Sequence, residues 1–504
     1  MRGLRVDAGW GNDPFRKTLD IFDSKTLVTV GHYLAVIAVF LRVVMMRPQT
    51  GVALAWIAIV AAFPLAGVAA YLLVGDKRIS QRDDQRLAGR KTDFDEFKRL
   101  GLTAADSKID WSRHPKAAKQ MAALGQFSAG LPAVHGNDVK LFGSSLKALD
   151  RIIADIDQAR ESVMMEFYIW DAEGKPKDVC EALKKAASRG VRCRLLVDDV
   201  GAGDWLDSEQ PDELREAGVE IAKALEVGPI RSLFSRTDLR THRKLIIIDG
   251  KVGYCGSLNM LDRRVFEEKE DVDEWVDSMV RMEGPAVKSL GLVLLADWQR
   301  EEGGDAAELL EWAGLDSAEE KGDVEIQVLP SGPGREEDEV LQMTLSLIFA
   351  AGEEVILTTP YFVPDESLLR ALRNAAMRGL RVHLIIPKQT DSRLAKFAGQ
   401  SYYEELMEAG VRIQRYQGGI VHTKSISVDG RLAMYGTANY DVRSLWINYE
   451  ISLIVYSDAF ATKLRQLQMV YLERCEDLDI GHWRKRPMWE RLIENTCRLL
   501  SPLL

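Results

Sequence analysis

Two histidines, each at the head of the same short pattern, are where this sequence could do chemistry. His242, Lys244, Asp249, Gly256, Ser257 and Asn259 lie in "HRKLIIIDGKVGYCGSLN"; His422, Lys424, Asp429, Gly436, Thr437 and Asn439 lie in "HTKSISVDGRLAMYGTAN". Every pair is separated by one interval (422 − 242 = 180), with Thr437 standing where Ser257 stands. The chain has only 7 histidines, so two of them in one six-residue arrangement is not a chance pattern. Residues two apart on a strand share a face, so each imidazole and its lysine point the same way. The apolar runs "LIIID" and "SISVD" bury that strand, and the turn that follows returns a hydroxyl and an amide to the same place. Imidazole, ammonium, hydroxyl and amide together make a cradle for a phosphate.

A carboxylate follows each pattern in a strand-like segment, Asp277 in "DEWVDSMV" and Glu450 in "INYEISLI". The intervals are similar (277 − 242 = 35, 450 − 422 = 28). A carboxylate bonded to one ring nitrogen fixes the tautomer and leaves the other free to attack or to carry a proton. The competing reading is a surface acid on an edge strand. If the carboxylates do orient imidazoles, sequence order pairs Asp277 with His242 and Glu450 with His422.

The elements that must hold these residues repeat as well. "SVMMEFYIW" (162–170) matches "EVILTTPYFV" (354–363), "KKAASRGVRCRLLVDD" (184–199) matches "RNAAMRGLRVHLIIPK" (373–388), and "LREAGVEI" (214–221) matches "LMEAGVRI" (406–413). Strand, helix, buried strand, helix, strand is the order of βαβ units, with Gly190 and Gly379 where a helix must end before a strand. The fold expected is α/β, with two fused half-domains over 138–320 and 325–485 forming a pseudo-dimer. An acidic, Gly-containing connection with a short helix joins them over 301–323. The stretch 92–137 reads as a linker.

Ahead of these halves, residues 1–91 read as a helical hairpin in a membrane. The first apolar run spans about 27–46, if Arg42 reaches the interface. The second, 51–74, has 24 residues (74 − 51 + 1) without a charge, or roughly 36 Å of helix, enough to cross a bilayer. Five Lys/Arg precede the first run and six follow the second over 75–91, against Arg42 and Arg47 between them. That asymmetry places both ends and the large soluble part in the cytoplasm. The last segment, 486–504, reads as an amphipathic helix behind a basic cluster at 484–486. It suits an anionic lipid surface, or equally packing on the second half.

A length of 504 residues accommodates two or three domains. The net charge of −10 argues against nucleic acid as a partner. The 5 scattered cysteines form no CxxC pair, which fits free thiols in a reducing compartment.

The paired HxKxxxxD patterns with Gly-Ser or Gly-Thr and Asn resemble the phospholipase D superfamily. The wider flanks "HRKLIIIDGKVGYCGSLNMLDRR" and "HTKSISVDGRLAMYGTANYDVRSLWINYE", with the N-terminal "RPQTGVALAWIAI", look like bacterial cardiolipin synthases from about residue 27 to the end. The resemblance implies two phospholipase D-like halves and a phosphatidyltransferase. It would join two phosphatidylglycerols, releasing glycerol, at a cell membrane through a multi-pass anchor. It further implies that one histidine attacks phosphorus and the other moves the proton. Lys244 and Lys424, with Ser257, Asn259, Thr437 and Asn439, would neutralise phosphoryl oxygens, and Asp249 and Asp429 would complete the motifs, more as support than as substrate contacts. Lysines supplying the charge, no metal and no cofactor are expected. A hydrolytic phospholipase D, a phosphatidylserine synthase, a superfamily nuclease or phosphodiesterase and a non-catalytic scaffold are the alternatives. Acidic balance and hairpin disfavour the nuclease, and the two intact motifs disfavour the scaffold. Oligomeric state is open.

Overall fold

The computed structural model describes residues 24–46, 50–63, 66–68, 71, 94–102, 109–226, 239–265, 274–315, 319–333 and 338–499. The chain divides into two units, Met1–Arg82 and Asp83–Leu504.

In the first unit the helices Ser24–Met46 and Thr50–Ala62 pack through Val39, Val43 and Val60, with Tyr71 completing the cluster. The run expected to be one helix from 51 to 74 is broken. The helix ends at Ala62, two residues before Pro64 in the sequence, and a proline has no backbone donor with which to continue a helix. The rings of Trp56 and Tyr71 meet edge to face with centroids 5.4 Å apart. Fifteen residues of straight helix (71 − 56) would hold those positions roughly 22 Å apart. A Cβ on Gly67 would sit 2.7 Å from the Ile59 carbonyl oxygen, so the chain doubles back after Phe63. Side chains of the first helix are described over 29–45. Among the described residues no helix is long and apolar enough to cross a membrane. The basic residues at 1–23 and 75–91 that set the expected orientation lie outside the described residues.

Among the described residues, the second unit is built on one fifteen-stranded sheet. At its centre Ala133–Phe142 pairs antiparallel with Val324–Ser331. Outward on one side lie Met279–Glu283, Val252–Gly256, Leu245–Ile248, Ser162–Phe167, Arg192–Asp198 and Glu220–Ala224. Outward on the other lie Glu450–Tyr456, Leu432–Gly436, Lys424–Val428, Glu354–Thr358, Arg381–Pro387, Arg412–Tyr416 and the edge strand Cys475–Asp477. Apart from that edge strand the order on one side repeats the order on the other, so the halves are copies sharing a sheet. In each, a parallel pair is joined by a crossover helix, Lys175–Ser188 or Glu366–Met377. Those helices give way to strand at Gly190 and Gly379, with φ of 87° and 91°.

The stretch 92–137, read as a linker, contributes core. The helix Lys116–Ala129 buries Ala118, Met121 and Ala122 against Val340, Met343 and Leu347, and the strand from Ala133 sits mid-sheet. Its apolar face is built from small residues, which is why its pattern is faint in the sequence. The five cysteines are all free, four of them buried.

Candidate active site

Each motif histidine is set where the two halves touch. Gly419–Val421 pairs parallel with Glu274–Val276 of the first half, and the His422 amide donates to the Val276 carbonyl at 2.8 Å. The mirror contact joins Thr241 to Tyr449, with the His242 amide donating to the Tyr449 carbonyl at 2.9 Å. The carboxylate one residue further on therefore comes from the opposite half. Glu450 meets His242 Nδ1 at 2.9 and 3.0 Å through its two oxygens, and Asp277 meets His422 Nδ1 at 2.7 Å. This crosses the pairing expected from sequence order. The reason is topological: each carboxylate strand lies within its own half's sheet, but the residues before it pair with the other half's histidine segment.

Lys244 and Lys424 are fully enclosed, and each donates to the carbonyl of its own histidine at 2.7 Å. That locks ammonium beside imidazole on one face, as the two-residue spacing requires. Ser257 and Thr437, expected to touch phosphate, instead donate to Asp277 and Glu450 at 2.6 Å each. A hydroxyl has one proton to give, so these two brace the carboxylates that hold the rings. Gly256 and Gly436 precede them because the carboxylate strand runs so close. A Cβ on Gly256 would lie 2.7 Å from the Ser278 carbonyl oxygen, and one on Gly436 would lie 2.3 Å from that of Ile451.

Asn259 accepts weakly from the Ile169 amide at 3.4 Å, while Asn439 Oδ1 is buried without a partner among the described residues. Asp249 and Asp429 belong elsewhere. Each opens an Asp-Gly turn with positive φ, 52° and 53°, the signature of a tight hairpin. The Asp249 carboxylate accepts from the amides of Arg160, Glu161 and Ser162, and that of Asp429 from Gly352, Glu353 and Glu354. Five residues of strand put them roughly 16 Å from the lysines. They pin the hairpin to the next strand and do not face the histidines.

Burial dominates the electrostatics. It pushes the His242 imidazole down to about 4 against the pull of Glu450, and lowers that of His422 as well. Burial also brings the ammonium of Lys244 down to about 8 and that of Lys424 to about 7. Burial would raise the carboxyls of Asp277 and Glu450, but the facing histidines and lysines hold both below the usual range. At neutral pH each carboxylate is ionised and accepts Nδ1–H from a neutral ring, which leaves the Nε2 lone pair as the reactive edge.

Several neighbours carry no sequence signal that would have singled them out. Trp275 lays its ring 4.6 Å from that of His422 and donates to Asp277 at 2.9 Å; its place two residues before Asp277, on the same strand face, is the one clue. Tyr168 lies edge-on to His242 at 5.1 Å. Behind His242, Arg243 is buried against Asp297 and the Glu450 and Ser331 carbonyls, and Arg300 shares Asp297. Thr241 donates to the fully buried Glu166, whose carboxyl burial raises to about 8. Among the described residues no group of three or more His, Cys, Asp or Glu could hold a metal ion.

Residues 152–282 and 344–468 each match the family model described as cardiolipin synthase, PLD-like domain. Each match contains one of the histidine motifs. The chain belongs to this family. A second model, phospholipase D-nuclease N-terminal, matches residues 34–75. Full-length relatives of the cardiolipin synthase family include a protein named cardiolipin synthase A from Serratia proteamaculans. It is 37% identical over 478 residues, 95% of this chain and 98% of that protein. Another of that name from Yersinia pseudotuberculosis is 38% identical over the same shares. The phosphatidylserine synthase of Haemophilus influenzae shares the fold, with a TM-score of 0.55 at 13% identity over 76% of this chain and 100% of that one.

Proposed function

We propose that this chain is a cardiolipin synthase, transferring the phosphatidyl group of one phosphatidylglycerol to a second and releasing glycerol. The observation that carries the reading is the pair of imidazoles, each oriented by a carboxylate from the opposite half, with two buried lysines beside them. The identity of about 37–38% to proteins named cardiolipin synthase A across nearly the whole chain supports the choice of lipid.

In the proposed cycle His242 Nε2 attacks phosphorus and the bond from phosphorus to the glycerol oxygen breaks. His422 delivers a proton to that oxygen. The anionic phosphodiester lying beside His422 favours its imidazolium, offsetting what burial takes away. The hydroxyl of the second phosphatidylglycerol then loses its proton to His422 and attacks phosphorus, and the phosphorus–nitrogen bond breaks. Lys244 and Lys424 neutralise the phosphoryl oxygens, and Asn259 and Asn439 supply amides to them. Glu450 orients His242 and Asp277 orients His422.

We further propose that residues 1–91 anchor the enzyme in the cell membrane with the catalytic unit in the cytoplasm. The match of 34–75 to the N-terminal family model favours this, as do the exposed apolar side chains of Tyr33, Leu34, Ile37 and Leu41.

Purified protein incubated with labelled phosphatidylglycerol should give cardiolipin and free glycerol in equal amounts. Phosphatidic acid as the sole lipid product would replace this reading with hydrolysis.

A further inference from the structure

The C-terminal helix, Met488–Leu499, has an inner and an outer face of opposite character. Its inner face is fastened to the second half. Cys497 and Glu494 are buried, and the helix lies along Arg393–Gln400. Arg486 pairs with Glu494 at 2.8 Å, Arg484 with Glu404 at 2.9 Å, and Arg498 with Glu405 at 3.4 Å. The outer face is apolar and bare: Met488 is 86% exposed, Trp489 61%, Leu492 68% and Leu499 80%. At 100° per residue these four positions fall within one third of the helix circumference, opposite Cys497 and Glu494. Four large apolar side chains in a single stripe are not what a helix shows to water alone.

The helix carrying the stripe is linked to the second motif through two layers of contacts. The helix Arg393–Gln400 beneath it presses on the short strand Phe362–Val363 so closely that a Cβ on Gly399 would lie 2.6 Å from the Phe362 carbonyl oxygen. That strand pairs with Tyr440–Asp441, the two residues that follow Asn439 of the second motif. The same helix starts two residues after Asp391, which accepts the Tyr361 hydroxyl at 2.5 Å. Exposed Lys485 lies three residues before Met488, and exposed Arg393 begins the helix beneath. An aromatic and three aliphatic side chains on a helix preceded by the basic segment 484–486 match the chemistry of an anionic lipid surface.

We propose that this outer face is a second, C-terminal membrane contact that lays this side of the second half against an anionic bilayer, so that a phosphodiester headgroup reaches the histidines from the lipid side. The inference rests on the phospholipid substrate proposed above. The helix does both things its sequence allowed, packing with one face and docking with the other.

The test uses the full chain reconstituted in vesicles of phosphatidylcholine and phosphatidylglycerol, with Trp489→Glu/Leu492→Glu as the variant. Turnover of vesicle phosphatidylglycerol should fall roughly tenfold or more, as expected for lost apolar insertion. Turnover of a short-chain, monomeric phosphatidylglycerol should stay at the wild-type level. Equal loss on both substrates would overturn the proposal in favour of a folding role, and no loss on either would overturn it outright. Should the wild type make cardiolipin from neither substrate, the functional reading is what fails. A spin label at Leu492→Cys tests docking independently of turnover. Docking predicts that the label is open to oxygen and shielded from a polar nickel reagent. A label open to the nickel reagent contradicts it. Shielding from both reagents, together with a dimer on cross-linking, assigns the face to a second copy instead.

Discussion

The two half-sites share a motif and a sheet order but are supported differently. Behind His242 stands an ionic cluster: Arg243 and Arg300 on Asp297, with the buried carboxyl of Glu166 holding Thr241. Behind His422 the equivalent of Arg243 is Thr423, and the support is a chain of hydroxyls. Thr423 meets Ser278 at 3.0 Å and Tyr471 at 3.2 Å, and Tyr435 donates to Ser278 at 3.0 Å. The carboxylates differ too. Glu450 meets His242 with both oxygens and accepts from Thr437 and Asn448, whereas Asp277 meets His422 with one and accepts from Ser257 and Trp275. Duplication has kept the imidazole–carboxylate contact, the hydroxyl that braces it and the neighbouring lysine, and let the support behind each histidine diverge. Because each contact is made across the boundary between halves, neither half holds a complete site. Unequal supports are what unequal roles in a two-step displacement call for.

The comparison breaks most sharply at the rings themselves. His242→Ala and His422→Ala should each lower turnover by roughly four orders of magnitude, as when one member of a catalytic unit is lost. Near-wild-type turnover by either variant would mean that the halves do not share one site.

The crossed pairing comes next. Glu450→Gln and Asp277→Asn should each reduce kcat by about 10² to 10⁴, the range for losing the group that orients a histidine. Glu450→Gln should slow the step that modifies His242, and Asp277→Asn should slow proton delivery to the leaving glycerol. In single-turnover runs with a better leaving group, Asp277→Asn should therefore recover and Glu450→Gln should not. The reverse pattern would restore the pairing of Asp277 with His242.

Stability should separate the supports. Arg243→Met leaves Asp297 partly uncompensated in the core and should cost about 3–5 kcal/mol. Thr423→Val removes two neutral contacts and should cost about 1–3 kcal/mol. Equal losses in denaturant titrations would show the two supports to be equivalent.

The smallest effect is on pH. With His242 pushed down to about 4, kcat/KM should rise through that value as the ring loses its proton. It should fall as His422, the proton donor, loses its proton in a range that burial holds below its ordinary value, and again from about 7 to about 8, where Lys424 and then Lys244 lose their charge. Lys424→Arg keeps a charge at all these values, so the lower of the two alkaline breaks should vanish from whatever activity remains. A break unmoved by that change belongs to another group.

How much of this was legible in the sequence depended on whether the information was local. The βαβ repeat was, because Gly190, Gly379 and the apolar runs beside them carry it within a few residues. The motif histidines and lysines were, because a strand's alternation fixes their common face. The partner of each imidazole was not. Val276 and Tyr449 pair with segments more than a hundred residues away, and spacing along the chain cannot reveal a crossed ladder. Ser257 and Thr437 were misassigned for a related reason: their single protons go to carboxylates whose position only the fold defines. Asp249 and Asp429, expected more as support than as substrate contacts, brace turns against strands that only the fold brings near. The run 51–74 read as one span because composition registers apolarity but not the reversal beyond Pro64.

The central claim is a phosphatidyl group carried on one histidine while the other moves the proton. Rapid quenching of His422→Ala with a phosphatidyl diester labelled in its phosphatidyl part and bearing an activated leaving group in place of glycerol, followed by alkaline gel analysis, should reveal an acid-labile phosphohistidine. Peptide mapping should place that label on His242, and His242→Ala should give no label. A label retained by His242→Ala and lost by His422→Ala would contradict this account by reversing the two roles.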